Sequence, residues 1–407
     1  MDVRILKSSF AVVERRAEHA VKFFYSHLFW HNPGVRAMFP PASADMERQR
    51  DRLFAALTHV IAHLGDETVG PYLRDLGRDH RKFLAGPEHY AAVGTSLLAA
   101  LAECSGAAWT PTVEKAWSEA YSLIADAMMA GAAGSTDPPW WDAEIVRHLR
   151  YGDDIAVLTL RPHAPLPYTP GQYVSLSDER VPTTWRTYSI GNAPRPDHTL
   201  DLHVSRIDRG LVSTALVREA GPGEFVRLGA AGGRMTLRRD AGRPLTFVAA
   251  GTGWAPVRAM LEELLLRPPD QDVRLFVVAR DGAHLYDRPL IDGWQQEHPW
   301  LAVTYITPAP GRHRHQATDR LATALGNRGR WPDHDVYVSG PPMFIDETAG
   351  LVAELGADPA RIFHDAVPST GRSRTRPLGF GEWFLDRPAT HWHNPSDRAP
   401  RNPRYGR

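Results

Sequence analysis

Four groups of residues in this chain have the types and spacing to do chemistry. In the stretch DLGRDHRKFLAGPEHYAAV (75–93), His80 closes an apolar-periodic segment and Gly86-Pro87 starts a new helix, along which Tyr90, Val93, Leu97 and Leu101 recur on one face. That spacing predicts a buried histidine beside a buried tyrosine hydroxyl, a pair suited to hydrogen bonding or to holding a metal. Upstream, Tyr25 sits in an inward stripe with Val21, Phe24 and Leu28, Phe39 precedes a Pro40-Pro41 corner, and Gln49 and Leu53 lie one turn apart on one helix face. A third group, WRTYSI, offers the planar fork of Arg186, suited to a pyrophosphate, with Thr187, Tyr188 and Ser189 behind it. Nearby, GLVSTAL puts Gly210, Val212 and Ser213 at a helix start, where free backbone N–H groups can meet the same pyrophosphate. The fourth is AGTGWAP, in which Gly251, Thr252 and Gly253 allow close backbone approach to a diphosphate and Pro256 enters the first helical turn.

Composition bounds what these groups can serve. A chain of 407 residues implies two or three domains. Formal charge is zero and the basic residues are scattered, so the expected partners are small molecules, with no nucleic acid and no membrane. Cys104 is the single cysteine, which excludes disulfides, a four-thiolate zinc site and an iron–sulfur cluster held by four thiolates. Charges at Asp2, Arg4 and Lys7 interrupt any signal-peptide core, and a cytoplasmic location is expected.

The elements that must position these residues fall into three units. Residues 1–135 carry helical periodicity over 3–13, 16–30, 45–64, 67–80, 88–104 and 112–130 and read as an all-α domain. After a Gly131–Pro139 linker the period drops to two, with strands expected at 144–149, 155–161, 172–176, 187–190, 200–207, 225–228 and 234–237, and a helix at 211–219. Residues 136–242 therefore read as an antiparallel β-barrel. From 243 to 367 strands alternate with helices, which predicts a parallel-sheet α/β unit. The Arg/Pro/Gly-rich tail 368–407 is expected to be disordered apart from GEWFLDRP.

The helical unit, through FYSHLFWHNPGVRAMF, QRDRLFAAL, HRKF, GPEHYAAVGTSLLAAL and AWSEAY, resembles the globin domain of bacterial flavohemoglobins. The resemblance implies a globin fold holding heme b. It makes His80 the proximal iron ligand, Tyr25 and Gln49 the distal pair for bound dioxygen, Phe39 the heme wedge, Leu53 the distal leucine, and Tyr90 a hydrogen-bond partner of His80. The family's acid on the last helix falls near Ala132, in MMAGAAGS, where there is none.

PGQYVSL, with Tyr173, followed by R-x-Y-S and G-x-V-S resembles the ferredoxin-reductase flavin barrel, and implies FAD with Tyr188 packed on its ring and Ser189 near the reactive nitrogen. AGTGWAP, ARDGAHLYD with Arg280, and SGPP with Gly340 and Pro341 resemble the same family's nicotinamide site. Arg280 is expected at an adenosine phosphate, and Asp281, which would oppose a 2′-phosphate, favours NADH over NADPH. Val367 stands where an aromatic residue usually covers the flavin, with Phe363 or Trp383 as substitutes. The three-part order implies electron flow from NAD(P)H through FAD to heme, with oxidation of nitric oxide by dioxygen to nitrate. Two other readings stay open: a redox or gas sensor kept ferrous by its own reductase, and a flavin reductase for an external acceptor. Monomer and homodimer are both compatible with the sequence.

Overall fold

A computed structural model describes residues 2–41, 43–238, 242–308 and 315–365. Val367, Trp383 and the tail from 368 lie outside them.

Six helices build the first unit: α1 (Val3–Glu14), α2 (Ala17–His31), α3 (Ser43–Ala62), α4 (Val69–His80), α5 (Pro87–Ser105) and α6 (Pro111–Ala133). Their starts have local causes. Asp2 accepts the Arg4 and Ile5 N–H groups at 2.9 and 3.4 Å, the His89 ring nitrogen accepts the Gly86 N–H at 2.9 Å, and Pro87 and Pro111 occupy first-turn positions where no N–H is needed. A core of Leu6, Phe10, Phe24, Leu28, Leu101 and Trp117 joins α1, α2, α5 and α6. By length and composition α5 is apolar enough to cross a membrane, yet its Leu97, Ala100, Leu101 and Cys104 are buried in that core. Gly131, expected in a linker, lies inside α6. A Cβ there would stand 2.1 Å from the Arg74 carbonyl oxygen, and one on Gly77 would stand 1.9 Å from that of Met128, so α4 and α6 pack backbone to backbone.

The second unit is a six-stranded antiparallel sheet of β1 (Trp141–Tyr151), β2 (Ile155–Pro162), β3 (Tyr173–Ser177), β4 (Trp185–Ser189), β5 (Leu200–Ser205) and β6 (Phe225–Leu228), in the order β4-β3-β6-β1-β2-β5. An Ile190–Leu202 bridge and a 2.7 Å bond from the Gly191 N–H to the Asp201 carbonyl close its edges into a barrel. Two expectations change here. Residues 234–237 form no strand, because the Arg234 and Met235 N–H groups bond to the Asp365 carboxylate at 2.8 and 3.3 Å in place of a ladder. The expected helix 211–219 is a short α-turn, α7 (Leu211–Thr214), continued as a π-turn over Ala215–Glu219.

The third unit is a five-stranded parallel sheet of β7 (Leu245–Ala250), β8 (Val273–Val278), β9 (Leu301–Ile306), β10 (Asp335–Ser339) and β11 (Ile362–Phe363), ordered β11-β10-β7-β8-β9. The helices are α8 (Trp254–Leu266), α9 (Arg288–Glu297), α10 (His315–Gly326) and α11 (Pro342–Glu354). The sequence reading has no helix at α10, whose Leu321 and Leu325 are fully buried against the sheet. β7 is central, so the glycine loop at its C-terminal end lies in the crevice where such sheets take ligands.

Candidate functional site

His80 ends α4. Its Nδ1 lies 2.8 Å from the Leu76 carbonyl, one turn back, and because a carbonyl only accepts, Nδ1 carries the proton. Burial lowers the ring's pKa, with the Leu76 bond and Asp79 opposing, so the imidazole is neutral with an unprotonated Nε2. Nε2 has no hydrogen-bond partner among the described residues. That tautomer is what an iron atom requires of a ligand histidine, with the carbonyl as its supporting hydrogen bond.

The expected His80–Tyr90 hydrogen bond is absent among the described residues. The Leu76 carbonyl, one turn back on the same helix, takes the Nδ1 proton instead. Tyr90 packs with Val60, Leu73 and Met128, burial raises its pKa, and its backbone carbonyl accepts the Tyr121 hydroxyl at 2.5 Å.

Tyr25, on α2, is 3% exposed. Phe39 stands edge-on to its ring at 5.6 Å, Phe29 lies at 5.7 Å, and Leu53 belongs to the same apolar cluster. Among the described residues the hydroxyl donates weakly to the Gln49 backbone carbonyl at 3.5 Å, with the Gln49 side chain also beside it. Burial raises its pKa well above the usual phenol value, with Gln49 and the Arg50 charge opposing. Tyr25 thus presents a neutral, underused proton donor in an aromatic pocket. The cluster around Tyr25 and the one around Tyr90 share Leu64.

On the barrel, β3 and β4 pair Tyr173 with Ser189 and Val174 with Tyr188. Arg186 donates to the Trp185 carbonyl at 3.0 Å, Thr187 is exposed, and Tyr188, Ser189 and Tyr173 are partly buried. The Ser213 hydroxyl is used locally, accepting the Ile207 N–H at 3.1 Å and donating to the Gly210 carbonyl at 3.3 Å, while the Val212 side chain is buried in the barrel core. Over positions 210–213 the Val212 and Ser213 side chains are thus turned inward, while Leu211 is exposed. Tyr173 also lies beside Gly233, where a Cβ would stand 2.6 Å from Asp365 and 3.1 Å from the tyrosine ring. Asp365, from the end of the α/β unit, was missed in the sequence because nothing local marks a carboxylate that caps a distant loop.

In the α/β unit Gly251 has φ +56°, and a Cβ on Gly253 would stand 2.5 Å from the Ser339 carbonyl oxygen. Gly340 (φ +159°) completes the contact, so the loops after β7 and β10 touch through backbone alone. Thr252 is partly buried, Pro256 is buried inside α8, and Pro341 is exposed ahead of α11. Phe363 lies tilted against Tyr337 at 5.0 Å with Arg238 over its face. Arg280 is committed to Asp154 of the β1–β2 turn at 2.6 Å and bonds His284, and Asp281 holds His284 at 2.5 Å.

A charged network that sequence reasoning missed joins barrel to α/β unit. Asp201, fully buried, accepts from Thr159 at 2.7 Å, from Arg195 at 3.1 and 2.7 Å, and from Arg258 at 3.4 Å. Burial would raise its pKa, but these partners hold it below the usual carboxylate value. His203 meets the Tyr286 hydroxyl at 2.8 Å and Arg258 at 3.2 Å, and the Trp254 indole donates to Asp287 at 2.8 Å.

Comparison with known proteins divides the chain in the same order. The globin family matches residues 22–128, the oxidoreductase FAD-binding domain 143–237 and the oxidoreductase NAD-binding domain 247–349. The chain is 30% identical over 399 residues to a flavohemoprotein of Chromobacterium violaceum, covering 90% of this chain and 97% of that one. It is 27% identical over 395 residues to a flavohemoprotein of Rhodopirellula baltica, covering 89% and 96%. Among solved structures, the flavohemoglobin of Malassezia yamatoensis with bound FAD and heme superposes with a TM-score of 0.73 at 21% identity, over 89% of this chain and 97% of the other.

Proposed function

The chain belongs to the flavohemoprotein family, and from that premise we propose that it oxidises nitric oxide with dioxygen to nitrate, drawing electrons from NAD(P)H. The observation that carries this reading is the neutral His80 ring, donating its Nδ1 proton to the Leu76 carbonyl and leaving Nε2 for iron, in one chain with a flavin barrel and a nicotinamide crevice. When bound, heme supplies the gas-binding centre, and FAD converts a hydride into single electrons.

The chain's own residues do the rest. His80 would hold the heme iron through Nε2. Tyr25 offers its hydroxyl proton to the bound gas, Gln49 lies next to it, and Phe39 and Leu53 exclude water. Tyr173, Tyr188 and Ser189 frame the flavin ring, and Arg186 with the backbone at Gly210–Ser213 holds its pyrophosphate. Gly251, Gly253 and Gly340 let backbone N–H groups approach the nicotinamide nucleotide, and NADH is preferred because the Asp281 carboxylate opposes a further phosphate.

The deciding experiment measures NADH consumption by the pure holoprotein under air, with and without nitric oxide. Acceleration by nitric oxide is expected, and a rate indifferent to it would overturn the reading. One observation favours a second reading, a gas-binding globin kept ferrous by its reductase. His80 is supported by a neutral carbonyl, and the stretch MMAGAAGS near Ala132 offers no carboxylate. This arrangement gives the imidazole less anionic character. A persistent oxygenated spectrum during slow NADH use, unchanged by nitric oxide, would support that reading.

A further inference from the structure

Beyond the site residues, one side chain links the histidine helix to the flavin barrel. Lys82, two residues after His80, is 7% exposed. Its ammonium donates to Asp79 at 2.6 Å and, across the domain boundary, to the Ser175 hydroxyl on β3 at 3.0 Å. The same ammonium lies over the Phe83 ring at 5.3 Å and the Trp185 ring at 5.4 Å. Those rings meet edge to face at 6.4 Å, and Phe83 meets the His80 imidazole at 5.7 Å. The stem of Lys82 lies against Gly229, where a Cβ would be 3.5 Å from its Cδ.

A column of three rings, His80, Phe83 and Trp185, therefore runs from the end of α4 to the first residue of β4, the strand that carries Arg186, Tyr188 and Ser189. A lysine is costly to bury and holds its place only where its charge is answered. Here Asp79, a hydroxyl and two ring faces answer it together, and they come from both domains.

Contacts between domains of one chain are ordinarily mobile. A cation bonded to both sides, with its stem buried, removes that freedom at the place where the two cofactor-bearing units meet. We propose that Lys82, with Trp185 as its platform, is the positioning residue that seats the His80 helix on the flavin strands and so sets the rate at which electrons cross from the barrel to the heme side. The inference rests on the electron route given under the proposed function. Each crossing moves one electron, oxidising the flavin and reducing the iron by one equivalent, and neither Lys82 nor Trp185 changes oxidation state.

The test uses holoprotein checked for heme and FAD content. In anaerobic stopped-flow mixing with NADH, Lys82→Met should slow heme reduction roughly tenfold, since misplacement by about 1 Å costs up to a hundredfold. NADH-dependent reduction of ferricyanide, which needs only the barrel and α/β unit, should match wild type. Lys82→Arg should recover most of the heme-reduction rate, and Trp185→Leu should lower it. In the resting oxidised protein, flavin fluorescence should rise in Lys82→Met as quenching by nearby heme relaxes. A Lys82→Met chain that loses heme passes the decision to Ser175→Ala, which removes one oxygen and must show the same slowing in smaller degree. Heme reduction at the wild-type rate in the variants overturns the inference. Failure of wild type itself to pass electrons to heme would overturn the functional reading instead.

Discussion

Tyr25 shows how much a single position carries. Among the described residues its hydroxyl donates only weakly, to the Gln49 carbonyl at 3.5 Å, so its proton is available to a bound gas. Tyr25→Phe removes a donor worth roughly 1.5–3 kcal/mol toward a strongly polarised acceptor, about ten- to a hundredfold. Dioxygen release from the reduced holoprotein, followed by stopped flow, should quicken by that order while dye reduction stays unchanged. At Gly253 the effect reverses domain: Gly253→Ala puts a methyl group 2.5 Å from the Ser339 oxygen and must push the loops after β7 and β10 apart. The KM for NADH should rise about tenfold, with heme spectra unaltered. The placement of Tyr25 was legible because helical periodicity assigns an inward face. The partner of His80 was not, because two candidates, Tyr90 and the Leu76 carbonyl, differ only in three-dimensional distance.

Among the elements, the α4–α6 seam has the sharpest consequence. Gly77 and Gly131 let the two backbones touch, and an added Cβ at either would overlap a carbonyl of the other helix. Overpacking of this kind costs about 1–3 kcal/mol. Gly77→Ala should therefore lower the thermal unfolding midpoint and weaken heme retention by displacing the helix that ends in His80, whereas Gly34→Ala, which meets nothing within 4 Å, should leave both unchanged. The six globin helices were readable to within a few residues because each buries an apolar stripe, α4 against a cluster with Val60 and Met128 and the others chiefly against the main helical core. α10 was not, since PAPGRHRH precedes it and its apolar face is short, with Leu321 and Leu325 one turn apart. The strand expected at 234–237 fails for a related reason: alternation fits a strand, but Asp365 takes the backbone N–H groups that a neighbouring strand would need.

At the scale of the whole molecule, the helical unit packs around clusters of its own, separate from the barrel core, so His80→Ala should abolish heme, measured as pyridine hemochrome, while one FAD is retained. The barrel and α/β unit share the network around Asp201 and His203. Burial first, and the Arg258 charge second, hold the His203 pKa down from 6.5 to about 3. Between those values the unfolded chain binds a proton that the folded chain refuses, so stability contributed here is full above pH 6.5 and is lost as pH falls toward 3. His203→Gln should reduce that slope in thermal unfolding between neutral and acid pH, set against the Asp201, Arg258 and Tyr286 groups that remain. Sequence alone determined the order of helical, barrel and parallel-sheet units, the histidine at a helix end and the glycine loops, because periodicity, breakers and positive-φ positions are local properties of the chain. Tertiary structure decided which carbonyl holds His80, where Asp365 bonds, how Arg280 is committed to Asp154, and that Lys82 bridges two domains. Each of these depends on groups from 4 to 131 positions apart, whose meeting is set by packing and by the need to satisfy buried charge, which no local pattern encodes.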